Sequence, residues 1–107
     1  MSAATNTMMK QNTNDENDLL NVETFSLVCK ALGHPARVRI LEYLKKMDRC
    51  VCGEIVDILP LAQSTVSQHL KSLKKAGLIK GEVEGLCTCY CLNRDMLDKY
   101  KKTAASL

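Results

Sequence analysis

An amphipathic run over residues 63–76 begins only a few residues after Pro60, and this spacing constrains the fold more than any other feature of the sequence. Pro60 ends the short apolar segment 53–59, because a residue before proline is pushed out of helical conformation. Ile55, Ile58 and Leu59 face inward from that segment, and Gly77 stands where a C-terminal cap of the second helix belongs. Two helices joined by so short a turn predict a helix-turn-helix. Residues 79–83 and 86–92, separated by Glu84 and Gly85, then predict a β-hairpin, and Asn93 can cap a last helix that carries Met96, Leu97 and Tyr100 on one face.

Upstream, Leu19, Val22, Phe25, Val28 and Leu32 recur at helical steps, and Gly33, His34 and Pro35 punctuate that helix before a second one over residues 35–46. The second helix is apolar on most sides, as a central one would be, and residues 49–52 form a short extended piece. The expected class is mostly α with a small β-hairpin wing, in the order α-α-(β)-α-α-β-β-α: a winged helix-turn-helix. Residues 1–16 are polar and aperiodic and predict a disordered arm, leaving residues 17–107 as one DNA-binding and dimerisation domain.

Composition agrees with this. The chain has 107 residues, 46% hydrophobic and 25% charged, which is ordinary globular material for one domain. Aromatics are only 4%, so Leu, Ile and Val must build a core of a size that gains from dimerisation. No apolar run approaches the roughly 18 residues needed to span a bilayer, and no signal-peptide core opens the chain. The expected location is the cytoplasm, where the six cysteines stay reduced and are better suited to binding or sensing than to stapling the fold.

On a helical wheel, Val66, Leu70 and Leu73 form the buried stripe of the helix over 63–76, with His69 at its edge as a packed core histidine. The opposite side carries Ser64, Gln68, Lys71 and Lys75, with Thr65, Ser67 and Ser72 on its flanks. Small hydroxyls and amides near a helix N-terminus suit base edges in the major groove, and the lysines suit phosphates. No acidic residue lies between Leu61 and Lys80, whereas an ordinary solvated face mixes both signs.

The cysteines alternate. Cys50 and Cys52 flank Val51 in an extended segment, so they share a side, and Cys87, Cys89 and Cys91 share one side of the last strand. In a winged helix these two strands are neighbours, so five thiols come to one outer face. Cys29, alone on the first helix, fits a buried and inert small hydrophobe. Thiolates select soft ions. Cys87 and Cys91 lie about 13 Å apart along a strand and cannot share one ion. Cys50 and Cys52 with Cys89 or Cys91 is the expected ligand set, and the helix that follows would favour the Cys52 thiolate.

The segments ALGHPARVRILEYL, CVCGE and QSTVSQHLKSLKKAGLI, with a wing ending in YCLN, resemble the ArsR/SmtB family of bacterial repressors over about residues 20–100. The resemblance implies a homodimer paired through the first and last helices, bound to double-stranded operator DNA and released by an inducer. It implies DNA contacts from Gln63, Ser64, Thr65, Ser67, Gln68 and Lys71. Two departures stand out: Ala62 where a serine cap is common, and Glu82 and Glu84 where a wing tip is usually basic. The family's arsenic motif is only half present, with Ile55 at the third cysteine position, and Asp95 and Asp98 lack the histidines of a zinc site on the last helix.

The expectation is a repressor, not an enzyme, that needs no cofactor and is released by a thiophilic ion, with arsenite or antimonite ahead of cadmium or lead. A thiol-based sensor of oxidants or reactive sulfur is the alternative. A metal-sequestering protein or thiol oxidoreductase is disfavoured, because the spacing is Cys-x-Cys and no general base sits beside it.

Overall fold

The computed structural model describes residues 18–107, so the arm expected over residues 1–16 lies outside it. Four α-helices and a hairpin follow in chain order: α1 (Val22–Leu32), α2 (Pro35–Met47), a 3-10 helix (Gly53–Asp57), α3 (Gln63–Lys75), β1 (Ile79–Glu84), β2 (Cys87–Leu92) and α4 (Arg94–Ala105). This is the expected winged helix-turn-helix with one correction. The first helix of the helix-turn-helix is a single tight 3-10 turn rather than an α-helix over residues 53–59. Its five residues, before Pro60, are too few to develop an α-helical ladder.

Local chemistry sets the boundaries. The Asn21 side chain accepts the Thr24 N–H at 2.8 Å to start α1, and His34 Nδ1 accepts the Ala36 N–H at 3.2 Å to start α2 at Pro35. Ala62 offers α3 no side-chain cap, so that helix depends on packing. Its other end is well finished: Gly77 is left-handed (φ 82°), Gly77 N–H reaches Lys74 O at 3.0 Å, and Leu78 N–H reaches Leu73 O at 3.0 Å. Asn93 then ties three elements together. Its backbone N–H bonds Leu78 O, its side chain donates to Gly77 O, and its Oδ1 accepts the Met96 N–H at the start of α4.

The core is aliphatic. Ile40 and Leu44 of α2 meet Val66, Leu70 and Leu73 of α3, with Val28, Val51, Ile55, Leu78 and Ile79 around them, all buried. The last helix closes over the first. Phe25 and Tyr100 stack at 5.6 Å, and buried Thr103 accepts the Leu20 N–H at 2.8 Å. Among the described residues, no helix is long and apolar enough to cross a membrane.

His69 is 8% exposed, the packed position its wheel angle predicts. Its Nδ1 accepts the Arg37 Nε–H at 3.3 Å, and its ring lies 4.4 Å from that of His34. Burial first, then the charges of His34 and Arg37, hold its pKa below the ordinary 6.5. The native state therefore resists a proton that the unfolded chain accepts. Stability is full above the unfolded pKa and falls as pH drops through the lower folded value. Urea unfolding midpoints should fall between neutral pH and about pH 5, and His69→Gln should flatten that decline. An identical decline in the variant would place its origin elsewhere.

Candidate nucleic-acid interface and thiol face

Burying the Val66, His69, Leu70 and Leu73 stripe of α3 turns its other side outward. Gln63, Ser64, Thr65, Ser67, Gln68, Lys71 and Lys75 are all exposed, so the structure presents the whole expected DNA-contacting set on one helix. Lys74, also exposed, leans over the hairpin near Gly81, where a Cβ would come within 3.2 Å of its Nζ. Lys75 shares a shallow cavity with Lys30 and Arg37, two cations from α1 and α2. Spacing along one helix gives no hint of that convergence, because it depends on how three helices pack.

The thiol face arises from strand register. Val51 and Tyr90 exchange both backbone hydrogen bonds, at 2.9 and 2.7 Å, a single bridge that holds the Val51 segment antiparallel beside β2 of the two-stranded sheet. Residues flanking such a pair face one another at close range without hydrogen bonds of their own. These are Cys50 opposite Cys91 and Cys52 opposite Cys89, with Cα separations of 4.3 and 4.1 Å, and each pair is joined as a disulfide. The structure thus gathers all four expected ligands, but as two cross-strand pairs rather than as Cys50 and Cys52 with one wing cysteine. A trio of that kind needs two neighbours on one strand to converge, whereas the pleat spaces them along it and aims each across.

The face is also less exposed than alternation implies. Cys50 and Cys87 are exposed, Cys52 and Cys91 are half-buried, and Cys89 is only 3% exposed. Cys89, the deepest, lies on β2 between β1 and the bridged Val51 segment. Cys29 needs the opposite correction. The inner stripe of α1 is Val28 and Ala31, so Cys29 is exposed and not a buried hydrophobe.

Sequence reasoning missed the two glutamates. The hairpin turns at Gly85 and Leu86, so Glu82 pairs with Cys89 and Glu84 with Cys87. Both carboxylates therefore lie on the cysteine side, and the tip presents Val83 and Leu86, at 78% and 106% exposure. Donor atoms of Cys50, Glu82 and Cys91 lie within 4.8 Å of one another, as do those of Cys52, Glu84 and Cys89. A turn at Glu84 and Gly85 already aligns Glu82 with Cys87 by alternation; the turn at Gly85 and Leu86 adds Glu84 to β1 and moves Glu82 opposite Cys89. The Val51 segment is held from outside by Arg49, whose two guanidinium nitrogens donate to Glu54 at 3.1 and 3.2 Å and keep that carboxyl below its ordinary pKa. On the last helix, Asp95 pairs with Lys99.

A family model described as "Bacterial regulatory protein, arsR family" matches residues 34–80. The chain is 38% identical over 81 residues to an uncharacterised HTH-type transcriptional regulator, MJ1325, of Methanocaldococcus jannaschii, covering 75% of this chain and 90% of that protein. It is 46% identical over 63 residues to the HTH-type transcriptional repressor SmtB of Mycobacterium tuberculosis, covering 59% of this chain but under half (46%) of that protein. It is 30% identical over 79 residues to the arsenical resistance operon repressor of Staphylococcus xylosus, covering 74% and 75%. Among solved structures, an ArsR family transcriptional regulator, RHA00566, superposes with a TM-score of 0.73 at 17% identity, covering 82% of this chain and 90% of that one, a likeness of fold.

Proposed function

The chain belongs to the ArsR family of transcriptional repressors and is not an enzyme, and from that premise we propose that it leaves its operator when a thiophilic ion is captured by Cys50, Cys52, Cys89 and Cys91. Gln63, Ser64, Thr65, Ser67 and Gln68 approach base edges in the major groove, and Lys71 and Lys75 hold phosphates, with Lys30 beside Lys75. Two copies pair through α1 and α4 in the cytoplasm. Exposed Val22, one helical turn before Phe25 of the packed Phe25–Tyr100 ring pair, supports that surface.

One observation carries the ion reading: four thiols in facing pairs join the start of the helix-turn-helix to the wing. In its reduced state such a pair suits trivalent arsenic or antimony, which bonds two thiolates and keeps one oxygen. That one relative carries the name arsenical resistance operon repressor supports placing these metalloids ahead of cadmium and lead. Capture fixes the wing against the segment leading into the reading helix and biases its geometry. Operator DNA must weaken ion affinity by the same factor. The variant Cys50→Ser with Cys52→Ser should bind operator as wild type does and show no release by arsenite in fluorescence anisotropy. Unchanged release in that variant would overturn the proposed site.

A second reading has its own observation, since both pairs are joined as disulfides. Oxidation by a hydroperoxide would take two hydrogens from each pair, forming one S–S bond, one alcohol and one water. Mass spectrometry of protein released by oxidant would show a loss of two hydrogens per pair under this reading, and no loss under the ion reading.

A further inference from the structure

The two thiol pairs are not equivalent, and a carboxylate distinguishes them. Glu84 Oε1 lies 3.0 Å from Cys89 Sγ, close enough to accept the proton of the reduced thiol, and Cys89 is only 3% exposed. We propose that Cys52, Cys89 and Glu84 form a site for a borderline divalent cation of the zinc and cadmium class. This deepens the ion-release reading and rests on its cysteine face, while making a separate claim about a carboxylate ligand.

Distances permit the site. Two thiolates at about 2.3 Å from a tetrahedral ion stand about 3.8 Å apart, and a carboxylate oxygen at about 2.1 Å stands about 3.6 Å from either. The three donor atoms already lie within 4.8 Å of one another, on strands whose Cα atoms at the cysteines are 4.1 Å apart. The two sulfurs are bonded to each other here, so admitting an ion requires reduction and a side-chain rotation that opens them to about 3.8 Å, with no rearrangement of strands.

Charge selects the ion. Two thiolates and a carboxylate carry three negative charges, which a divalent cation largely offsets. Arsenous acid is uncharged at neutral pH and gains nothing from the glutamate. On binding, two S–H bonds break, two sulfur–metal bonds and one oxygen–metal bond form, and two protons leave to solvent; nothing is oxidised. The fourth position stays open to water. The outer trio of Cys50, Glu82 and Cys91 meets the same distance limit, and the Arg49 and Arg94 guanidiniums near it are paired with Glu54 and Asp48. Exposure makes it the poorer seat, since Cys50 is exposed and Cys91 half-buried whereas Cys89 is buried.

The reduced full-length chain should be titrated with cadmium chloride, following the thiolate-to-cadmium charge-transfer band and the cadmium NMR shift, which reports the number of sulfur donors. The expected result is a site with two sulfurs that is lost in Cys52→Ser and weakened about 10- to 100-fold or more in Glu84→Gln. Circular dichroism checks that each variant folds. Wild-type affinity in Glu84→Gln, or a shift characteristic of four sulfurs, would overturn the carboxylate ligand while leaving the ion-release reading intact. If cadmium binding depends on Glu84 but neither cadmium nor arsenite frees the operator, the site stands and the ion-release reading falls.

Discussion

Replacing Gln68 with Ala should lower operator affinity by about 10- to 100-fold per half-site and relax base preference at one position, because a bidentate amide–base contact contributes about 1–3 kcal/mol of discrimination. Gln68 is exposed one position from buried His69, so the substitution costs the fold little. Lys71→Ala with Lys75→Ala should behave differently. Phosphate contacts carry no sequence information, so binding weakens about equally on specific and unrelated DNA. The slope of log affinity against log salt should shrink by about 0.9 for each phosphate no longer neutralised. Anisotropy over a salt series separates the two effects. Equal salt slopes for wild type and the lysine double variant would remove α3 from the phosphate backbone.

Leu73→Ala should destabilise the domain by about 2–5 kcal/mol. Leu73 has no exposed surface, lies where α3 packs on α2 and supplies the carbonyl that the Leu78 N–H caps. A domain of this size holds about 5–15 kcal/mol in total, so the variant stands near its folding threshold. Leu86→Ala is the matching control. The same residue type at 106% exposure on the wing tip should change stability by no more than about 0.5 kcal/mol. Urea denaturation of both variants measures the difference, and a small loss in Leu73→Ala would contradict the packing described for α3.

The helices were legible because helical burial has a strong period. Val66, Leu70 and Leu73 sit on the buried face that their spacing predicts, and Gly77 and Asn93 finish and start helices where their chemistry predicts. The short segment after Cys52 was less legible, because five residues cannot display a period that separates a 3-10 turn from an α-helix. Among the cysteines, which strands meet follows from the fold alone. Which cysteine meets which depends on the Val51–Tyr90 bridge, and only backbone hydrogen bonding reveals that. The proximity of Glu84 to Cys89 was hidden because a turn at Glu84 and Gly85 leaves Glu84 out of β1, whereas the turn at Gly85 and Leu86 adds it to the strand on the face that Glu82 shares with the cysteines. Cys29 illustrates the same sensitivity on a helix, where one step from Val28 carries a side chain from the core to solvent.

Release of operator by a thiophilic ion is tested by titrating arsenite into the reduced chain bound to fluorescent DNA from upstream of its own gene. Loss of anisotropy should be complete near one to two equivalents per chain and be reversed by a competing dithiol. Operator binding that persists through a large excess of arsenite, antimonite and cadmium alike would contradict ion-driven release.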